Sequence, residues 1–180
     1  CEINTVLQRK CKECVLENKE HTEITKNIKD TTLASALISE YNKTLGILNE
    51  NNDLNRLERK GNIQIQNRNT VTHHLLLDIN KDTHIKISGK IDGYCPEKDC
   101  IIESKHRKNR LFNKVPQYEE IQCEVYMRMF DVSTVYHSET YNGESNETIL
   151  HKNDLLWKDI QKKIKKRFLP IYLDIKSQTI

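Results

Sequence analysis

The spacing of apolar residues in this 180-residue chain changes at Gly61, and that change limits the folds the chain can adopt. From Thr31 to that point apolar residues recur every three or four positions, which is the pattern of an amphipathic helix. A polar run at 49–53 predicts that this helix ends or bends, and Gly61 is predicted to cap the helical piece that follows. Beyond Gly61 apolar and polar residues alternate, as in strands buried on one face. The pattern therefore predicts a fold that contains both helices and strands (α/β in the broad sense), in an α+β arrangement.

Three strands are predicted after Gly61, and we expect them to pair as a meander. The first contains Ile63, Ile65 and residues 71–77, the second spans 84–94 and the third spans 100–105, with turns at 80–82 and 95–99. The remainder is predicted as a helix over 118–130, a strand over 132–136, a polar loop at 142–146 and a basic helix over 155–169 that ends at Pro170. The predicted core is a central mixed β-sheet flanked by helices, in the order αβββαβ.

We expect one domain, because 180 residues are enough for one hydrophobic core and few for two. It would comprise an N-terminal arm of one or two short helices (1–30), a catalytic core (31–140), and a loop with a C-terminal basic helix (141–180). No segment approaches the roughly 20 apolar residues of a membrane span, and the first ten residues lack the apolar stretch of a secretory signal. We therefore expect a soluble, intracellular protein.

The six cysteines are sparse for a disulfide framework, which favours free thiols in a reducing compartment. Cys11 and Cys14 have the spacing of a zinc or iron–sulfur half-site, and Cys95 and Cys100 flank a turn that could supply the other half. A small zinc-binding domain is therefore an alternative. It leaves the carboxylates described next without an explanation.

The pattern that carries chemistry combines Asp92 with Glu103 and Lys105. Glu103 and Lys105 are two positions apart on one predicted strand, so their side chains share a face, and the turn brings Asp92 beside them. Neighbouring carboxylates repel each other, and oxygen ligands of this kind suit Mg²⁺ or Mn²⁺. Such a metal polarises a phosphoryl oxygen and lowers the pKa of bound water, and Lys105 can orient that water. The alternative is an ordinary surface ion pair.

Three segments around these residues resemble the PD-(D/E)XK nucleases of the RecB and lambda-exonuclease type. They are Gly89-x-x-Asp92-Gly93, Ile102-Glu103-Ser104-Lys105 and the run YEEIQCEVYM at 118–127. The resemblance covers about residues 85–140 and implies a restriction-endonuclease-like core. It also implies that Asp92, Glu103 and the main-chain carbonyl of Ser104 bind the metal. Lys105 would then serve the attacking water, and Gln122 would lie beside the site.

Many of the nucleases that the chain resembles add a metal ligand from the helix before the sheet. Glu40 is our first choice for that ligand because it lies on the best-formed predicted helix. Glu58, Glu23 and His21 stay open as competitors, and a solvent-exposed helix surface is the alternative reading of Glu40.

A basic run at 105–110 leaves the predicted site directly, so we expect it to contact the substrate. Arg107, Lys108 and Arg110 are expected to bind phosphates, with the arginines suited to bidentate contacts. Tyr118 or Phe112 is suited to stack on an unpaired base, and both can equally belong to the core. The alternative for the whole run is a solvated charged surface.

The resemblance implies a metal-dependent DNA nuclease that acts on double-stranded ends or single strands in replication, recombination or repair. An exonuclease or end-processing enzyme is favoured, and a structure-specific endonuclease or resolvase, an RNA substrate and a non-catalytic binding module stay open. A looser likeness of 107–112 to uncharacterised proteins of large DNA viruses suggests a viral origin, hence the cytoplasm or nucleus of a host cell. Whether the protein is a homo-oligomer or part of a larger assembly is also open.

Overall fold

A computed structural model describes residues 2–81 and 83–178, so Asp82 of the predicted turn at 80–82 lies outside the described residues. The fold is α+β, with a mixed sheet flanked by helices. The chain divides into two compact units, Cys1–Asn55 and Arg56–Ile180, and the division falls within one long helix. The two units are described separately below.

The first unit is helical. It contains α1 (Glu2–Leu16), α2 (His21–Thr25) and most of α3 (Thr31–Gly61). The side chain of Asp30 begins α3 as an N-cap, because its Oδ1 accepts the main-chain N–H groups of Thr32 and Leu33 at 2.8 and 3.1 Å. A small core joins these helices and is built from Cys11, Cys14, Val15, Leu37 and Tyr41. Among the described residues of 2–30, the helices are thus α1 and α2.

The helix α3 continues through residues 49–53, so the predicted break there is wrong. Asparagine and aspartate inside a helix cost only about 0.7 kcal/mol each, and Leu54 and Leu57 resume the apolar spacing directly after the polar run. The expected cap also differs from the observed one. Gly61 is the last helical residue, and it is Asn62 that adopts the left-handed conformation, with a φ of 46°.

Besides the end of α3 and a short 3₁₀ helix (Pro96–Lys98), the described part of the second unit contains two sheets and two α-helices. A two-stranded antiparallel sheet is formed by β1 (His73–Asn80) and β2 (Thr83–Gly89). A four-stranded mixed sheet consists of β3 (Gly93–Cys95), β4 (Cys100–His106), β5 (Thr134–Tyr141) and β6 (Glu144–His151), in that spatial order. Only β4 and β5 are parallel among its pairs. The helices are α4 (Gln117–Phe130), which connects β4 to β5, and α5 (Asp154–Gln178).

The predicted three-stranded meander is wrong because its members belong to different sheets. The ladder between β1 and β2 stops at Gly89, and Ile91 is buried instead in the core under α4. Ile63 and Ile65 are not in a strand either. The neighbouring residue Gln66 forms an isolated β-bridge with Tyr94. An alternating pattern identifies an extended segment, but the choice of its partner depends on contacts between distant residues.

The end of the chain also differs from the prediction. The short strand expected at 132–136 is the start of the longer β5, and the polar loop at 142–146 is a tight Asn142–Gly143 turn followed by β6. Both turn residues have positive φ, which suits the twist of a two-residue hairpin. The last helix does not end at Pro170 but continues to Gln178. The residues after Pro170 keep an apolar face, and they line a cavity with Ile79 and Ile85 of the β1–β2 sheet.

The core of the second unit lies between α4 and the mixed sheet. Its buried members are Ile91, Ile101, Cys123, Met127, Val132 and Val135. Because β4, α4 and β5 form a strand–helix–strand crossover, one face of α4 covers the strand that carries Glu103 and Lys105. Within the described residues, no helix combines the length and apolar composition needed to cross a bilayer.

Candidate active site

The structure brings Asp92, Glu103 and Lys105 together at the junction of β3 and β4. Asp92 directly precedes β3, which pairs antiparallel with β4. Its Oδ2 accepts a 2.8 Å hydrogen bond from the main-chain N–H of Ser104. On β4 the ammonium group of Lys105 is paired with Oε1 of Glu103. The strand pairing therefore places the three side chains as their spacing predicts.

The charges of this cluster are held away from bulk water. Glu103 is only 1% exposed, and Asp92 is half-buried. Burial raises the pKa of Asp92, while the Ser104 N–H and the charge of Lys105 act in the opposite direction. Burial alone would lower the pKa of Lys105, but the nearby carboxylates of Glu103 and Asp92 raise it overall. The site thus contains a protonated lysine between two carboxylates, one of which is incompletely compensated.

The helix α4 supplies two further side chains. Gln122 Nε2 donates to Glu103 Oε1 at 2.9 Å and lies 3.1 Å from the hydroxyl of Tyr126, one helical turn further on. Burial raises the pKa of Tyr126, so its hydroxyl stays protonated at neutral pH. Gln122 was predicted beside the site and is found there. The motif alone does not mark Tyr126 as a site residue, although its spacing of four from Gln122 on a helix is a usable signal.

The two glycines of the motif Gly89-x-x-Asp92-Gly93 make room for close packing. A Cβ atom on Gly89 would lie 2.8 Å from Cε1 of Tyr126. A Cβ atom on Gly93 would lie 2.3 Å from Cγ2 of Ile65, closer than real Cβ contacts allow. Both glycines therefore permit neighbouring segments to approach the chain on either side of Asp92.

Arg107 does not face solvent, contrary to the phosphate contact expected for it. Its side chain is 9% exposed and forms a bidentate pair with Glu119 at 2.6 and 2.8 Å. Its Nε donates to Glu139 at 2.8 Å, and His137 Nε2 lies 2.8 Å from Glu119. We refer to Arg107, Glu119, His137 and Glu139 as the buried ion cluster. A phosphate could reach this guanidinium only by displacing a carboxylate, because buried ions keep their partners.

The buried ion cluster ties α4 to the sheet. Burial alone would raise the pKa of Glu119, but hydrogen bonds from Arg107 and His137 lower this pKa to about 2. Burial lowers the pKa of His137, so the ring is neutral at neutral pH. Glu119 lies one turn before Gln122, and the cluster therefore helps to set where Gln122 meets Glu103. Sequence reasoning missed Glu119 and Glu139, because nothing local marks a carboxylate that is buried against a distant arginine.

The other residues expected to bind nucleic acid remain at the surface. Lys108 and Arg110 are exposed on the segment that follows β4, and Tyr118 is 63% exposed in the first turn of α4. Phe112, which lies between Arg110 and Tyr118 in sequence, is 42% exposed. It packs against Arg107, whose Cζ is 4.2 Å from the centre of the phenylalanine ring. This surface is continuous in sequence with Lys105.

The candidates for an additional metal ligand are divided between the two units. Glu40, His21 and Glu23 belong to the first unit, where Glu40 lies 3.7 Å from Lys43. Glu58 belongs to the second unit, pairs with Arg68 at 2.5 Å and accepts the N–H of Ile65 at 2.7 Å, which together lower its pKa. Those contacts give Glu58 a structural role. The ligand role of Glu40 stays a prediction.

The donor set at the site fits a magnesium-like ion with few protein ligands. In the part of the chain that the structure describes, no three His, Cys, Asp or Glu side chains are arranged to hold a metal. Asp92 and Glu103 supply two carboxylates, and Ser104 lies between Glu103 and Lys105 with its hydroxyl buried. Mg²⁺ binds through one or two carboxylates and keeps several waters, so two carboxylates are sufficient. The raised pKa of Asp92 indicates that a cation would stabilise its charged form.

The cysteines pack as ordinary thiols in the described residues. Cys11 and Cys14 belong to the core of the first unit, whereas Cys95 and Cys100 are directly opposite each other on β3 and β4. These four and Cys123 are all free and buried. Burial is the main cause that raises the pKa of each of the five thiols. No metal site of the kind considered for the zinc alternative is found in these residues.

Comparison with known proteins shows a similar fold. No protein-family model matches the chain, and no curated protein matches it significantly. Among solved structures, the crystal structure of SSO0001 is similar, with a TM-score of 0.57 over 92% of this chain and 86% of that one. The two sequences are 15% identical over the match. At this level of identity the likeness concerns the fold alone, an α+β arrangement with helices around a mixed sheet.

Proposed function

We propose that this protein is a divalent-metal-dependent DNA nuclease with a restriction-endonuclease-like core of the PD-(D/E)XK type. The observation that supports the proposal most is the meeting of Asp92, Glu103 and Lys105, with the Ser104 N–H holding Asp92 and Gln122 holding Glu103. A structural ion pair would need one carboxylate for one lysine. Here a second, incompletely compensated carboxylate shares the same place.

In the proposed mechanism Asp92, Glu103 and the Ser104 carbonyl would hold Mg²⁺ or Mn²⁺. When bound, such an ion lowers the pKa of a water molecule and stabilises the charge that develops on a phosphate. Lys105 remains protonated beside Glu103, so its ammonium group orients the attacking water and neutralises negative charge on the phosphoryl oxygens. Gln122 fixes the orientation of the Glu103 carboxylate through its 2.9 Å hydrogen bond.

We further propose that DNA ends or single strands are the substrate, in replication, recombination or repair. The exposed cations Lys108 and Arg110, which follow the catalytic strand, suit the phosphate backbone. The preference for an exonuclease over a structure-specific endonuclease rests on the resemblance of the sequence motifs. The experiment below separates the two.

The test is cleavage of end-labelled linear DNA and of closed circular DNA with Mg²⁺, Mn²⁺ or a chelator. Asp92→Asn keeps an oxygen that can accept the Ser104 N–H, so it removes charge while preserving the hydrogen bond. Lys105→Met removes the ammonium group. Asp159→Asn, on the exposed surface of α5, is the matched control. We expect metal-dependent degradation of linear DNA by the wild type and the control, and a loss of about 100-fold or more in both site variants.

The other outcomes are equally informative. Cleavage of the closed circular DNA would still support the proposed active site, and it would favour an endonuclease over an exonuclease. Binding of DNA without any cleavage under all metal conditions would contradict the nuclease and favour a non-catalytic nucleic-acid-binding module. Full activity of Asp92→Asn would show that the metal ligands are elsewhere. Calorimetric titration with Mn²⁺ adds a readout independent of turnover, since Asp92→Asn should weaken binding of the ion.

A further inference from the structure

We propose that Phe112 and Tyr118 form a platform on which unpaired bases of single-stranded DNA stack next to the catalytic strand. We call these two residues the aromatic pair. The inference rests on the proposed nuclease function for its biological meaning, and it names the form of DNA that this site takes. It is carried by the exposure of the pair, by its attachment to the buried ion cluster, and by the charge around it.

Both rings of the aromatic pair are exposed to solvent. Phe112 is 42% exposed, and Tyr118 is 63% exposed. Exposing this much aromatic surface forgoes the stabilisation that its burial would give, at roughly 25 cal/mol per Å². The guanidinium of Arg107 covers one face of Phe112, with Cζ 4.2 Å from the ring centre, so a base would stack on the part of the ring that remains exposed.

The segment that carries Phe112 is held in place by main-chain hydrogen bonds. The N–H groups of Phe112 and Asn113 donate to the buried carboxylate of Glu139 at about 3.0 Å each. Arg107 contacts both Glu139 and the ring of Phe112. The platform is therefore fixed before any ligand arrives, which reduces the entropy lost on binding.

Tyr118 adjoins the same cluster along the chain. It directly precedes Glu119, the bidentate partner of Arg107, in the first turn of α4. The ion pair of Arg107 with Glu119 therefore connects the residue that packs on Phe112 with the residue next to Tyr118. Lys105, two residues before Arg107, and Gln122, three residues after Glu119, both contact Glu103. The aromatic pair therefore adjoins the catalytic strand and helix.

The charge of this surface suits a nucleic acid backbone. Residues 106–118 include no aspartate or glutamate. Lys108, Arg110 and Lys114 are exposed there, while the nearby carboxylates of Glu119 and Glu139 are buried and paired with Arg107. Exposed cations close in sequence to exposed aromatic rings suit a single strand, whose phosphates and bases both need partners.

The pair selects single strands because of how bases are presented. Inside a duplex each base is covered above and below by its neighbours, so only the terminal base pairs expose a flat face to a side chain. An unpaired base exposes a face, and stacking on an aromatic ring accepts any of the bases. We therefore infer recognition of unpaired strands without sequence preference.

The first test is fluorescence anisotropy with a labelled single-stranded oligothymidylate and a blunt duplex, both with a chelator present so that nothing is cut. Phe112→Leu removes the aromatic face, and Phe112→Trp keeps one. Phe168→Leu is the matched control, because Phe168 is 50% exposed on α5. We expect Phe112→Leu to weaken single-strand binding roughly 5- to 150-fold, with duplex binding changed much less. Phe112→Trp and the control should bind like the wild type.

The second test reports stacking itself. A 2-aminopurine base placed in the oligothymidylate loses fluorescence when it stacks on a ring, and that quenching should disappear in Phe112→Leu and weaken in Tyr118→Leu. Melting temperatures confirm that each variant is folded. Equal binding and equal quenching in Phe112→Leu, the control and the wild type would overturn the platform, whether or not the protein cuts DNA. Ring-dependent binding by a protein that never cuts would overturn the nuclease and keep the platform.

Discussion

The main-chain N–H of Ser104 donates a 2.8 Å hydrogen bond to Oδ2 of Asp92. This bond joins the residue before β3 to the middle of β4, so the position of the Asp92 carboxylate is set by the backbone of the strand that carries Glu103 and Lys105. The carboxylate is therefore oriented before any ligand binds. The predictions below follow from this and the neighbouring contacts.

We predict that Gln122→Ala slows cleavage about 10- to 100-fold, the usual effect of removing a partner that orients a metal ligand. The cause is the loss of the 2.9 Å hydrogen bond to Glu103 Oε1. Single-turnover rates with saturating Mn²⁺ measure the effect, and Gln161→Ala on α5 is the control. Unchanged rates in Gln122→Ala would show that Gln122 does not contribute to cleavage.

Gly93→Ala should lower the free energy of unfolding by about 1–3 kcal/mol, because overpacking a filled site forces neighbours to shift. The new Cβ would lie 2.3 Å from Ile65 Cγ2. Gly46→Ala is the matched control, since no atom lies within 4 Å of its Cβ position and alanine is the better helix former. Urea denaturation measures both. Equal stability of the two variants would contradict the close approach of residues 65 and 93.

Arg107→Met should lower the free energy of unfolding by about 3–5 kcal/mol, because it leaves two buried carboxylates without their cation. Arg107→Lys should cost less, since it keeps the charge but loses the bidentate fork. Lys163→Met removes a cation from the exposed pair with Asp159 and should change stability by less than about 1 kcal/mol. If Arg107→Met were as mild as that control, the buried ion cluster would contribute little to folding.

The pH dependence of stability should reflect Glu119. Its pKa is about 2 in the folded protein against an ordinary value of 4.5, so ionised Glu119 stabilises the fold above about pH 4.5. That contribution is lost as the pH falls from about 4.5 to 2. The pKa of His137 is also lowered in the folded protein, so protonation of its ring as the pH falls likewise lowers the free energy of unfolding. We expect Glu119→Gln to show a shallower decline than the wild type in urea titrations at stepped pH, and parallel curves would refute the assignment.

Cys123 should resist alkylation in the folded protein. It is fully buried beneath the site, and burial together with the Glu103 charge raises the pKa of its thiol, so little thiolate forms. We expect iodoacetamide at neutral pH to label Cys123 only after denaturation, as measured by mass spectrometry of peptides. Rapid labelling of the native protein would show that α4 does not cover β4 as described.

The local parts of the site could be predicted from the order of the residues alone. Glu103 and Lys105 share a face because strand residues alternate, and a short turn returns the chain from Asp92 to β4. The helical spacing of 118–130 also predicted α4, with Gln122 on it. These features depend on residues close together in the chain, whose geometry follows from the period of the strand or helix.

The meeting of distant segments could not be predicted in this way. Arg107 was expected at a phosphate, yet it is buried between Glu119 and Glu139, which are 12 and 32 residues away. The supposed meander separates into two sheets, and α5 continues past Pro170, where its residues line a cavity with the β1–β2 sheet. Such outcomes depend on burial and charge pairing between distant segments, and the hydrophobic period of one segment carries no information about its partner.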